Sequence, residues 1–250
     1  MSRKVIFRTL VGSHNYNLNT EESDEDYKAF VMPTFEDLYN GKMFSKQVVG
    51  DEMDCEYHDI RKLPMLLSKA NLNYVETLFS HKIQMSDDAH PEHVNIINDI
   101  LCNKDRIAKM NLSRMYSACN GMFNQKMSML DKGTKGTEHL VEKYGFDTKQ
   151  AQHAFRIVDF IVRYHGNDFT SFGDAIRYSE SSPHREFMMD IRNGKLSKEE
   201  FVDFMGRYKS RNFDILKKEI KPLDKDEEMH EMLKDSIYKL VKSGLEYSKD

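Results

Sequence analysis

Two short stretches near the start of the chain and one near its middle hold the residues that could do chemistry. The first is Gly12-Ser13, which follows the apolar residues Val5-Ile6-Phe7 and Leu10-Val11. That run reads as a buried strand. Gly12 lets the backbone turn tightly, and Ser13 adds a hydroxyl and an N–H. A turn of this kind can cradle a phosphate with backbone donors. The second stretch is Ser23-Asp24-Glu25-Asp26. Asp24 and Asp26 stand two apart, so an extended backbone points both to one face. Two carboxylates facing a phosphate cradle supply what a divalent-metal phosphoryl-transfer site needs. The plain alternative is a solvated acidic loop, Glu21 to Asp26, beside a common Gly-Ser pair. The order strand, turn, polar link, paired carboxylates, strand favours the chemical reading.

The third stretch is Asp147-Thr148-Lys149 through Arg156. Asp147 suits the N-cap of a helix starting at Thr148. Lys149, His153 and Arg156 then fall at i, i+4 and i+7, on one face of an otherwise apolar helix. Cations on a largely buried helix need anionic partners, because a buried unpaired charge is costly. A triphosphate is one such partner; a nearby carboxylate such as Asp147 is the structural alternative.

The elements that must position these residues change character along the chain. Residues 1–60 alternate strand-like runs with loops. Ala29-Phe30-Val31-Met32 is a second strand, beginning at or after Asp26. A short helix from Phe35 to Tyr39 follows, capped by Thr34. Val48-Val49-Gly50 opens a hairpin arm or a loop. Met53 to His58 alternates, with Asp54, Glu56 and His58 on one face of a third strand. From Asp59 the period is helical: Ile60, Leu63, Leu66 and Leu67, with Pro64 in the first turns. Beyond about residue 90 everything reads as helix. Ile107, Met110, Met115, Cys119, Met122 and Phe123 mark one helix and Lys149 to Tyr164 another. Stripes at Phe201, Phe204, Met205 and Tyr208, and at Met229, Met232, Leu233, Ile237, Leu240 and Val241, mark two more core-facing helices. No internal repeat or low-complexity linker is visible. The expected division is an α/β part over 1–90 and an α-helical part over 91–250.

Gly12-Ser13-His14-Asn15-Tyr16-Asn17 followed by Ser23-Asp24-Glu25-Asp26-Tyr27 resembles the signature of the DNA polymerase β nucleotidyltransferase superfamily. It is similar in particular to the RlaP-like predicted nucleotidyltransferases of bacteria and phages. Asn17 stands where that family usually has glycine, although asparagine also tolerates a left-handed backbone. Glu25 stands where an apolar residue is usual. The segment Asp59-Ile60-Arg61-Lys62-Leu63 through Asn71-Leu72-Asn73-Tyr74-Val75-Glu76-Thr77-Leu78-Phe79 resembles a second block of the family, with Leu72 where proline is frequent. Gly145-Phe146-Asp147-x-Lys149-x-x-x-His153-x-x-Arg156 resembles its C-terminal motif. Ile191-Arg192-Asn193-Gly194, leading into a helix start, resembles a further segment. The matched blocks span about 10–80 and 143–204.

The resemblance implies an α+β fold, with a nucleotidyltransferase-type mixed α/β core and an α-helical C-terminal region packed beside it. It implies transfer of a nucleoside monophosphate from a nucleoside triphosphate, ATP among the candidates, to an acceptor by a two-metal mechanism. Asp24 and Asp26 would hold Mg²⁺ or Mn²⁺. Asp54 or Glu56 would add a third carboxylate, with Asp54 favoured as the third metal ligand. Gly12, Ser13 and His14, together with Lys149, His153 and Arg156, would hold phosphates. The acceptor stays open between an RNA end or tRNA, a protein and a small molecule. The alternative is a catalytically inactive nucleotide- or RNA-binding regulatory module of the same fold. A net charge of −4 gives no global basic field to attract nucleic acid. Lys132, Lys135 and Lys143 form only a sparse basic group. Three cysteines without metal-like spacing point to a reducing compartment. With no apolar run of spanning length and no signal-like start, a cytoplasmic protein without membrane contact is expected.

Overall fold

The computed structural model describes residues 3–21, 23–50, 53–134 and 136–246. Glu22 of the acidic run and Lys135 of the lysine group lie outside the described residues. The chain forms two compact units, one of residues 1–111 with 225–250 and one of residues 112–224. These units are drawn differently from 1–90 and 91–250: two helices after residue 90 and the last helix belong with the sheet. The fold is α+β. Among the described residues, no helix is long and apolar enough to cross a membrane.

The first unit is built on a five-stranded mixed sheet of order β3-β4-β2-β1-β5. Its elements are β1 (Val5–Val11), α1 (Gly12–Tyr16), β2 (Glu25–Val31), α2 (Phe35–Tyr39), β3 (Ser45–Val48) and β4 (Met53–Asp59). Next come α3 (Leu63–Ser68), α4 (Leu72–Val75), β5 (Ile83–Met85), α5 (Pro91–Cys102) and α6 (Lys104–Ala108). β1 pairs antiparallel with β2 and with β5, β2 pairs parallel with β4, and β3 pairs antiparallel with β4. The helix at Phe35 starts as its sequence requires: Thr34 and Asp37 form a reciprocal capping box. Asp59 ends β4 by accepting the Arg61 N–H and pairing with its guanidinium at 2.6 Å.

One face of the sheet carries the core. Phe7 and Phe30 stack at 4.9 Å, and Ile60, Leu63, Leu67, Leu72, Val75 and Leu78 are buried. The other face buries Leu10, Tyr27, Ala29 and Cys55. β5 was not foreseen as a strand, and of β3 only Val48 fell in a stretch left open between a hairpin arm and a loop. β3 is exposed along its whole length and β5 only half-buried, so neither shows the apolar alternation that marks a strand in sequence.

The second unit comprises α7 (Leu112–Met127), α8 (Glu138–Tyr144), α9 (Thr148–Gly166), α10 (Phe172–Ile176), α11 (Pro183–Arg192), α12 (Lys198–Tyr208) and α13 (Lys217–Ile220). The helix expected to run through Ile107 and Phe123 is interrupted instead. α6 ends at Ala108, and Asn111 turns away to donate to the Ser68 carbonyl at 3.0 Å. α9 is buried on nearly every side, through Ala151, Ala154, Phe155, Ile157, Val158, Phe160, Ile161 and Tyr164. Within it, the buried Asp159 carboxylate accepts from Tyr178 and Tyr208 hydroxyls, each at 2.9 Å, and from His184 Nδ1 at 2.6 Å. The chain then returns to the first unit with α14 (Glu227–Glu246). Met229, Leu233, Ile237 and Leu240 bury its apolar stripe, and His93 Nε2 of α5 lies 2.9 Å from the Ser243 hydroxyl.

The hydrogen bond that His184 donates to the Asp159 carboxylate raises the imidazole pKa above its ordinary value. A raised folded-state pKa contributes stability that is full below the unfolded value near 6.5 and is lost as pH rises through the folded value. We expect His184→Gln to lower Tm by about 2–4 °C at pH 6, with the gap to wild type narrowing by pH 8.5. Thermal scans at the two pH values check this. A gap of constant size would show that the imidazolium adds nothing to the Asp159 network.

Candidate active site

The site at the head of the sheet is set by strand register. Asp26 pairs with Val11 on one side and with Asp54 on the other. In-register residues of neighbouring strands point to the same face, with strands about 4.8 Å apart. Asp26 and Asp54 are therefore side by side. One step further into the sheet, Lys28 stands in register with Glu56, and Phe30 with His58. The two open candidates for a third carboxylate are thus placed differently. Asp54 lies beside Asp26 at the sheet's end and accepts the Gly50 N–H at 3.3 Å. Glu56 forms an ion pair with the buried Lys28 and meets His58 Nε2 at 3.3 Å. Those contacts, His58 first and Lys28 next, hold Glu56 down to about 2. Lys28 in turn lies 5.2 Å from the Tyr74 ring centre.

Asp24 is exposed and sits just before β2, while Glu25 points to the opposite face. There Glu25 accepts from the Tyr27 hydroxyl at 2.6 Å and from Lys82 at 3.1 Å. An acidic residue is tolerated between the two aspartates because this second face offers it a donor and a cation.

The Gly-Ser turn is a single helical turn, α1, entered directly from β1. Gly12 has φ +74°, and a Cβ there would lie 2.7 Å from Asp26 Oδ2. Only glycine allows the backbone to come this close to the carboxylate. The Gly12 N–H donates to Glu76 Oε2 at 3.2 Å, so what this glycine contributes is space beside Asp26. Glu76, 2% exposed, also accepts from Tyr16 at 2.6 Å and Asn15 at 3.5 Å. The buried carboxylate therefore holds α1 from below through three donors. Ser13 is half-buried, and its carbonyl accepts the Leu18 N–H at 2.9 Å. His14 Nε2 lies 2.9 Å from the Ser23 carbonyl. A carbonyl only accepts, so Nε2 carries the proton, and the imidazole ties α1 to the loop that presents Asp24. Asn17 ends α1 in the left-handed region, at φ 62°.

Lys149, His153 and Arg156 lie in the second unit, on α9, which Asp147 caps by accepting the Gln150 N–H at 3.0 Å. Lys149 is exposed, His153 half-buried and Arg156 buried. Sequence reasoning missed the roles of Glu76 and Lys28. Lys28 had a signal: it stands two residues after Asp26 in the same strand.

Carboxylate oxygens are the hard donors that Mg²⁺ or Mn²⁺ prefers. Among the described residues, no group of three or more His, Cys, Asp or Glu is gathered to hold an ion. The fit is a pair, Asp26 and Asp54, with Asp24 on the exposed approach. The donor chemistry agrees with a divalent cation.

Residues 1–237 match the RlaP family, described as the RNA repair pathway DNA polymerase beta family. The chain belongs to that family. It is accordingly a nucleotidyltransferase-like protein. No curated protein matches the chain. A crystal structure of a nucleotidyltransferase-like protein from Exiguobacterium sibiricum 255-15 is similar at 10% identity and a TM-score of 0.28, over 96% of this chain and 69% of that one.

Gly41 provides a control for the role of Gly12. It too has a positive φ, +61°, but nothing lies within 4 Å of a Cβ built there. Gly41→Ala should cost only the left-handed backbone penalty, about 1–2 kcal/mol. Gly12→Ala should cost more, because the new methyl also displaces Asp26. Denaturant unfolding of both variants gives the comparison. Equal costs would mean that the approach of Gly12 to Asp26 carries no constraint.

Proposed function

We propose that this RlaP-family chain transfers a nucleoside monophosphate from a nucleoside triphosphate to an RNA end. The observation that carries the proposal is the register that sets Asp26 beside Asp54, with the Gly12 backbone against the Asp26 side chain. The acceptor hydroxyl releases its proton to solvent as its oxygen bonds to the α-phosphorus, the bond from that phosphorus to the bridging oxygen breaks, and pyrophosphate leaves with the electron pair. Asp24, Asp26 and Asp54 would hold Mg²⁺ or Mn²⁺. When bound, such an ion neutralises phosphate charge and lowers the pKa of an attacking hydroxyl.

The chain's own residues do the positioning. Glu76 fixes α1, so that Ser13 and His14 sit at the phosphate side of the carboxylates. Lys28 neutralises Glu56, leaving Asp54 as the third ligand. Lys149, His153 and Arg156 of the second unit are assigned to phosphates by the family resemblance. RNA as acceptor is supported by the family's description as an RNA repair family. A protein hydroxyl and a small molecule are the competing acceptors. A binding module without turnover remains the second reading, favoured by the exposed, pre-strand position of Asp24.

The test incubates the protein with each labelled triphosphate, Mg²⁺ and, separately, RNA, protein and small-molecule fractions. Label is expected in RNA. Asp26→Asn and Asp54→Asn should lose transfer with Tm preserved. Glu56→Gln should keep it, reduced about tenfold through its indirect position. Label in protein or small molecules alone would replace the acceptor. Near wild-type transfer by Asp26→Asn or Asp54→Asn would remove the metal assignment, and no transfer to any fraction would favour the binding module.

A further inference from the structure

Three helix ends meet in the unit of residues 112–224. The Asp147 N–H donates to the Leu130 carbonyl at 2.7 Å, bringing the chain just beyond α7 onto the start of α9. Thr148 Oγ1 donates to the Arg192 carbonyl at 2.9 Å, which pins the end of α11 to the same turn. The exit from α11 is equally constrained. Gly194 has φ +68°, and a Cβ there would lie 2.2 Å from the Tyr144 ring.

The helices joined by these links carry cationic residues. Lys126 comes from the last turn of α7, Lys149, His153 and Arg156 from α9, and Arg192 from the end of α11. They act on one another. Burial first, and then Arg156, Lys126, Lys149 and Arg192, push the His153 pKa well below its ordinary value, although the ring keeps a partly exposed edge. Burial, and then Arg156, also lower Lys126; Lys149 adds to this and the Asp147 carboxylate opposes it. Asp147 is itself fully buried and accepts from the Thr137 hydroxyl and the Gln150 N–H. Burial and the surrounding positive charge both disfavour the charged form of this imidazole.

We propose that this junction binds a polyphosphate chain, and that His153 takes up a proton as the chain binds. The assignment of Lys149, His153 and Arg156 to phosphates rests on the transfer reading. Lys126, Arg192 and the proton go beyond it and hold even for a chain that transfers nothing. Several phosphate charges reverse the field at His153 and so favour its protonated form. The imidazolium then has two N–H donors for phosphate oxygens, and the two guanidinium groups offer forked donors. Binding and protonation are linked, so affinity rises as pH falls from 8 towards 6.

The test titrates inorganic triphosphate, without metal, into the full chain by calorimetry at pH 7.5, in Tris and in HEPES. The apparent enthalpy is expected to differ between the buffers by more in wild type than in His153→Asn. This subtraction removes any proton exchanged by the ligand itself. Lys126→Ala and Arg192→Ala should each weaken binding about tenfold or more. Lys126 is half-exposed, so its variant keeps the test available if Arg192→Ala does not fold. No binding, binding indifferent to Lys126→Ala, or an equal buffer dependence in wild type and His153→Asn would each overturn the proposal. Binding with proton uptake by a chain that labels no acceptor would instead sink the transfer reading and leave this one standing.

Discussion

The parallel pairing of β2 with β4 is the constraint on which the rest of the candidate site depends. A slip of one residue would send every side chain of β4 to the opposite face. Asp54 would leave Asp26, Glu56 would leave Lys28, and Cys55 would leave the cluster it shares with Leu10, Tyr27 and Ala29. Burial of Cys55 on one face and the Lys28–Glu56 pair on the other thus specify one register together. The chemistry at the end of the sheet is aligned by contacts deeper inside it.

A second constraint joins the sheet to the turn above it. Glu76 is buried and still satisfied, because Gly12, Asn15 and Tyr16 all donate to it. A buried carboxylate without donors would cost several kcal/mol, roughly the scale of a whole domain's stability. The same contact therefore stabilises the unit and fixes α1 beside Asp26. Glycine at position 12 is a consequence of that closeness, and so is the use of His14 as a tie to the acidic loop.

Local signals were legible in sequence and non-local ones were not. Thr34 announced its helix because a capping box lies within four residues. Met53 to His58 announced a strand through alternation, and Asp147 announced α9. The paired aspartates and the family resemblance came from contiguous motifs. The choice between Asp54 and Glu56 stayed open because both share a face of β4, and only pairing with β2 distinguishes them. β5 escaped, and β3 all but Val48, because exposed or half-buried edge strands are made by their partners rather than by their own pattern. α14 was read correctly as a helix with one apolar stripe, but no stripe states which core it enters. Lys126 and Arg192 joined the trio on α9 only through helix ends far apart in sequence.

The central claim is that Asp26 and Asp54 together hold a divalent cation for a bound triphosphate. Manganese binding, followed by the loss of the free-ion electron paramagnetic resonance signal, tests it most directly. The titration uses a triphosphate that cannot be cleaved between its α and β phosphorus atoms. The account predicts nucleotide-dependent Mn²⁺ uptake by wild type and by Glu56→Gln, and its loss in Asp26→Asn and Asp54→Asn. Equal uptake by all four proteins would contradict it.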